Sequence, residues 1–453
     1  MSNLPHFHSR HGRSARNSFI TGTLLLTIAG VLTRIIGFFY RVFLSRTIGA
    51  EGLGIYQLLA PVSALGFAIT AAGIQTSISR FVSSEMGKKN PAGARRYLFI
   101  GLFLSLFLSA LAGLFVRNHA AMIASSWLGD ARCEPLLAIL SLSFVPCCIH
   151  ACINGYYYGL KKTGIPALTQ LTEQIARVAT VYVLYQIHLS NGTPIPLSIT
   201  MWGAVAGEMA STLVSITFTR LLPSGEAIAP PIGMCTKNLL LMATPLTANR
   251  VVLNLFASFE NIMIPNRLQL FGYTNSEALG IYGILTGMAM SIVMFPSVIT
   301  NSVSVLLLPV ISEAKAMDNE HLIRRTIKRT VSLCLTLGFL CTGGFLVTGR
   351  FLGNMLFGNA LAGTFIVTLG WICPFLYLSS TLSSVLHGLG FPGLTFGLNL
   401  FACGIRILFV LFALPVYGIR AYLWGILLSQ IMTAVLAIGI LYRMTGAIQI
   451  KKQ

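Results

Sequence analysis

The chain has 453 residues, 31 of them Lys or Arg and 12 Asp or Glu, so only 9% of its side chains are charged while 55% are hydrophobic and the mean hydropathy is +0.78. A soluble domain carries about 25% charged residues, so this composition excludes a soluble multidomain protein, and its apolar content excludes a disordered chain. A net charge of +19 then belongs at a membrane surface facing anionic lipids, and no nucleic-acid partner is expected.

Residues 1–17 form a polar tail with Arg10, Arg13 and Arg16, and with His6, His8 and His11, which are read as tail rather than as a metal site. The apolar run that follows is too long for a signal peptide and lacks a small-residue cleavage pattern. A spanning helix needs about 20 apolar residues. Apolar runs between polar breaks predict six spans near 18–43, 52–79, 97–116, 135–158, 165–188 and 198–220. Six more follow near 238–264, 278–308, 330–349, 362–386, 394–415 and 421–442. The expected layout is an N-lobe over 18–222, an inter-lobe linker over 223–237, a C-lobe over 238–442 and a tail over 443–453.

Basic residues orient these spans. With the N-terminus in the cytoplasm, twenty Lys and Arg fall on the inner side, among them Lys88, Lys89, Arg95, Arg96, Arg324, Arg325, Lys328 and Arg329. The outer side holds only Arg46, Arg117, Arg132, Arg267, Arg350 and Arg420. The bias predicts both termini to be cytoplasmic.

The two halves repeat. EGLGIY at 51–56 matches EALGIY at 277–282, VSSEMGKKNPAGARR at 82–96 matches VISEAKAMDNEHLIRR at 310–325, and Arg177 falls on Arg406. Two halves with six spans each share one topology, so the fold class predicted is an all-α integral membrane protein. Its twelve transmembrane helices form two six-helix lobes related by a pseudo-twofold axis along the membrane normal, with cargo held near the midplane between them.

Charges inside the spans mark the candidate site, because an ionised group at the bilayer centre costs at least about 2.5–3.5 kcal/mol. Arg34 and Arg41 are seven residues apart and share one face of the first span. Arg177, Arg250 and Arg406 lie in later spans, with Glu173, Glu208 and Glu260 as the acids. Glu173 and Arg177 have the spacing of an intrahelical ion pair. Arg406 has Ala402 where that acid would be, so its partner lies elsewhere. Arg34 and Glu260 occupy matching positions in the two halves, which suggests a latch across the outer side of the cleft. The arginine excess suits an anionic cargo, because a guanidinium bonds two phosphate oxygens at once.

Other signals carry no function. GLGFPG at 388–393 joins two apolar helices without a preceding strand, so it reads as a turn. Asn191-Gly192-Thr193 matters as a glycosylation signal only in a eukaryotic secretory pathway. The nine cysteines show no CxxC pair and imply neither a disulfide framework nor a metal centre. With no P-loop and short outer loops poor in acids, no enzyme activity and no cofactor are expected.

TRIIGFFYR at 33–41 and GAEGLGIY at 49–56 resemble the first-helix region of bacterial lipid-linked oligosaccharide flippases. The stretch 264–314, from IPNRLQLFGYTNSEALGIY to VISEA, is similar to the stage V sporulation protein B branch of the multidrug/oligosaccharidyl-lipid/polysaccharide exporter superfamily. The resemblance implies a V-shaped pair of lobes around a cavity that handles undecaprenyl-pyrophosphate-linked sugars, as in the related lipid II flippases. It implies a cavity-lining role for the first-helix arginines, with Arg34 at a matching position and Arg41 one residue off. Many members of the branch carry fourteen helices, the extra pair forming a groove for the lipid tail, whereas twelve are read here.

The function expected is alternating-access flipping of such a lipid-linked precursor across a bacterial plasma membrane, by a monomer that serves cell-wall or polysaccharide synthesis, with wall-synthesis enzymes as further partners. Substrate-binding candidates are Arg34, Arg41, Arg250, Arg177 and Arg406. Gating or ion-coupling candidates are Glu260, Glu208 and Glu173. The alternatives are a cation-coupled multidrug exporter of the same superfamily and a non-transporting scaffold.

Overall fold

The computed structural model describes residues 10–220, 229–317 and 319–450. Every regular element among them is helical. The first half contains α1 (Arg10–Thr47), α2 (Gly49–Gly87), α3 (Pro91–Asn118), α4 (Cys133–Gly159), α5 (Gly164–Ser190) and α6 (Ser198–Thr219). The second contains α7 (Ile232–Leu270), α8 (Asn275–Val293), α9 (Ser297–Ala316), α10 (Glu320–Phe357), α11 (Ala360–Gly370), α12 (Cys373–Gly388), α13 (Pro392–Tyr417) and α14 (Ile419–Ile450).

Among the described residues, ten helices are long and apolar enough to cross a membrane, or eleven if the bent pair α11 and α12 is one span. The 27-residue α5 is long enough but too polar to be counted, because it carries Gln170, Glu173, Gln174, Arg177, Gln186 and His188. Of these, Gln170, Glu173, Gln174 and Arg177 line a cavity. The 38 residues of α1 rise about 57 Å at 1.5 Å each, well beyond the roughly 30 Å hydrocarbon core.

Several boundaries differ from the sequence reading. The single helix expected near 278–308 is two, because the chain turns at Met294, Phe295 and Pro296. Proline lacks the N–H that the helix ladder needs, and it steers the preceding residue away from helical backbone. The helix expected near 362–386 bends by 58° between Gly370 and Cys373, where Pro374 starts the new segment. The stretch read as linker ends early, since α7 begins at Ile232. Most of the rest of that linker, 223–228, lies outside the described residues, as do His6 and His8 of the tail.

The repeated motifs meet each other. Gly54 of α2 lies against the Leu279 carbonyl and Gly283 of α8, and Gly283 lies against the Ala50 carbonyl, so the two backbones touch where any side chain would intrude. Leu53, Leu58, Leu279, Tyr282, Leu285 and Met288 fill the space around this crossing in one buried cluster. The same end of the molecule carries other ties between the halves. Asn275 donates to Asp130 Oδ2 at 3.1 Å, and Arg46 donates to the carbonyls of Leu356 and Met355 at 2.8 and 2.5 Å. Arg132 braces the loop by pairing with both Asp130 and Glu51 at 2.7 Å.

The long helix α7 serves both halves. Its Cys235, Leu239 and Ala243 pack with Ile74, Ile78 and Tyr97 of α2 and α3. Its Ile264 and Leu268 belong to the cluster around α8.

Candidate functional site

A chamber of about 480 Å³ opens at the seam between the halves. From the first half, α1 supplies Arg34, Phe38, Tyr40 and Arg41, α2 supplies Tyr56, and α5 supplies Gln170, Glu173, Gln174 and Arg177. From the second half come Ser291 of α8, Met294 and Phe295 of the turn, and Ser297, Val298 and Asn301 of α9. The break at Pro296 thus has a consequence for the site, because it presents turn and helix-start residues to the chamber.

Arg34 and Arg41 face this chamber from one side of α1. Arg34 Nη1 donates to Ser297 Oγ at 3.3 Å and Arg41 Nη1 donates to Ser291 Oγ at 2.9 Å. Neither meets a carboxylate among the described residues. A guanidinium has five N–H donors, so each keeps most of its donors and all of its charge for whatever enters. Two unneutralised cations lining one chamber favour an anion there.

Arg177 shares the chamber but is partly neutralised. Its Nη2 lies 2.5 Å from Glu173 Oε1, the one-turn pair that the spacing predicts. It also lies 3.8 Å from Glu208 Oε1 of α6. Glu208 in turn lies 2.7 Å from His150 Nε2 of α4. Arg177 and Arg41 also line a second cavity of about 410 Å³ formed wholly by the first half, and Glu208 and Cys147 face it.

Arg406 is in a different place. Its Nε donates to Glu260 Oε1 at 2.7 Å, and the buried Tyr422 hydroxyl donates to the same oxygen at 2.8 Å. This pair sits within the second half, between α7, α13 and α14. Glu260 therefore does not latch to Arg34 here, whose partner is Ser297. The reason is geometric: Glu260 faces α13 and α14 on α7 rather than the seam. Arg250 is exposed on α7 and has no ion pair among the described residues, and it does not line the chamber with Arg34 and Arg41.

The structure thus brings together Arg34, Arg41, Arg177 and Glu173, joins Glu208 to their edge, and separates Glu260, Arg406 and Arg250 from them. Sequence reasoning passed over Ser291, Ser297, Gln174 and His150. Hydroxyl and amide residues in apolar runs give no charge signal, and His150 becomes notable only with Glu208 beside it.

Residues 19–315 match the family of polysaccharide biosynthesis proteins. Stage V sporulation protein B of Bacillus subtilis (strain 168) is 29% identical over 432 residues, covering 93% of this chain and 83% of that protein. Lipid II flippase MurJ of the same organism is 22% identical over 341 residues, covering 71% of this chain and 62% of that protein. A solved inward-facing multidrug resistance MATE family transporter of the MOP superfamily superposes with a TM-score of 0.68 at 13% identity, over 92% of this chain and 95% of that one. The chain belongs to the polysaccharide biosynthesis protein family, on a fold shared with MOP superfamily transporters.

Proposed function

We propose that the protein is a flippase that moves a polyprenyl-pyrophosphate-linked glycan or lipid II-like precursor from the inner to the outer leaflet of a bacterial plasma membrane. The observation that carries this reading is the pair Arg34 and Arg41, two guanidiniums without carboxylate partners among the described residues, in a chamber between the halves. The pyrophosphate accepts their free donors, the sugar meets Gln170, Gln174 and Asn301, and the polyprenyl tail stays in lipid. Arg177, tempered by Glu173, forms the far wall. The twelve predicted spans act as two six-helix lobes, 18–222 and 238–442, with both termini cytoplasmic, and α7 couples the lobes by packing on each.

The ties between Asp130 and Asn275, between Arg46 and α10, and between Gly54 and Gly283 close the outer end in this conformation. Rocking the halves to break these ties carries the headgroup past the midplane. An interior-negative potential assists outward movement of an anion by about 2.3 kcal/mol per charge per 100 mV, which is about 5 kcal/mol for two charges. The protein acts as a transporter and makes or breaks no covalent bond.

Reconstitution into vesicles, with leaflet exchange of labelled lipid II, an undecaprenyl-linked glycan and a cationic dye followed in parallel, tests the reading. Exchange of either pyrophosphate-linked lipid, lost in Arg34→Ala, is the expected result. Movement of the dye alone would assign the chamber to a multidrug exporter, and movement of none would leave a scaffold.

A further inference from the structure

We propose that Cys147, His150 and Glu208 form a binding site for a divalent transition-metal ion inside the first half of the chain. Cys147 and His150 lie one turn apart on α4, and Glu208 faces them from α6. One ligand atom from each lies within 4.8 Å of the others. The His150 and Glu208 side chains are only 12% and 15% exposed. This inference stands on the cluster alone and does not depend on the cargo.

The donor set decides the class of ion. A thiolate with an imidazole selects zinc, cobalt and similar metals, whereas magnesium and calcium require six or more oxygen ligands. Zinc bonds nitrogen and oxygen at about 2.0–2.2 Å, so a tetrahedral site sets those two ligand atoms about 3.3 Å apart. His150 Nε2 and Glu208 Oε2 are now 2.7 Å apart, and about 0.6 Å of separation admits the ion. The ring is free to give this, because its buried Nδ1 has no hydrogen-bond partner among the described residues. Cys147 and Glu208 face the cavity of about 410 Å³, where water completes the fourth position.

Charge also balances. The Glu208 carboxylate and the Cys147 thiolate together neutralise a dication, and the thiol proton leaves to cavity water, one per ion bound. Arg177 keeps its own counter-ion, since Glu173 lies closer to it than Glu208 does, at 2.5 against 3.8 Å. Glu208 stands 58 residues from His150 in sequence, which is why no three-ligand spacing is legible there.

The test uses the purified, tag-free full chain in detergent with His6, His8 and His11 changed to Ala, so that the N-terminal tail offers no competing ligands. Titration with cobalt should show one equivalent bound with tetrahedral absorption bands and a near-ultraviolet thiolate-to-cobalt band, and zinc should displace it. Magnesium should not. Cys147→Ser should abolish the thiolate band, while Cys148→Ser, at the neighbouring buried thiol, should retain it. Glu208→Gln should weaken binding by at least the 10–100-fold typical of a lost outer-shell partner. No cobalt bound at one equivalent, bound cobalt without the thiolate band, or a band that survives Cys147→Ser would each overturn the proposal. The wild-type spectrum decides the first two even if the variants fold poorly.

Discussion

Removing the Glu260 carboxylate should be among the most damaging single changes outside the chamber. Its side chain is 5% exposed and holds both Arg406 and Tyr422 through one oxygen. Glu260→Ala leaves the Arg406 guanidinium, itself 18% exposed, as an uncompensated charge. Breaking a buried pair from one side costs about 3–5 kcal/mol. Tyr422→Phe removes one hydrogen bond to a charged acceptor, worth about 1.5–3 kcal/mol. Replacing both ions, as Glu260→Leu with Arg406→Leu, removes the desolvation penalty with the attraction and should fall within about 1 kcal/mol of wild type or above it. Unfolding in mixed micelles, run as a double-mutant cycle, measures these terms. The cycle of Glu260 with Arg406 should show strong coupling and the cycle with Arg34 should be additive, because those two side chains have separate partners. A loss below about 1 kcal/mol in Glu260→Ala, or coupling to Arg34 instead of Arg406, would refute the assignment.

Within the chamber, Arg34→Ala or Arg41→Ala should each reduce affinity for a pyrophosphate lipid by about 10–150-fold, the loss of one charge-assisted interaction of roughly 1.5–3 kcal/mol, with stability unchanged in a thermal-shift assay. Gly54→Val should force α2 from α8 and favour opening of the outer end, read as faster labelling of Ser297→Cys by an impermeant thiol reagent from outside in a background without native cysteines. At the loop before α4, burial opposes ionisation of Asp130, but hydrogen bonds from the Arg132 side chain and backbone and from Asn275 outweigh it and hold the carboxyl below its usual range. A depressed folded value means that its stabilisation is complete above about pH 4, the ordinary range of an aspartate, and is lost as pH falls through the folded value. Outer-end accessibility should therefore be flat between pH 8 and 5, and should rise in Asp130→Asn at all of these values.

Much of the architecture is decided locally and can be read from the chain. Apolar runs longer than a bilayer is thick must be helical, since no water satisfies their backbone groups in lipid. The Glu173–Arg177 contact follows from a spacing of four residues on a helix. Family resemblance is carried by the sequence motifs at 33–41, 49–56 and 264–314, which hydrophobicity alone does not dictate. What the sequence withheld was rotation and neighbourhood. Whether Glu260 points at Arg34 or at Arg406 depends on which face of α7 turns to α13, and that is set by packing along the whole helix. Pro296 is visible in the sequence, but its effect, turning Ser297 and Asn301 into a chamber wall, needs α9 seated across from α1. The grouping of Cys147, His150 and Glu208 likewise exists only once α4 and α6 lie side by side. Periodicity reports one helix at a time, and the chemistry of this protein arises between helices.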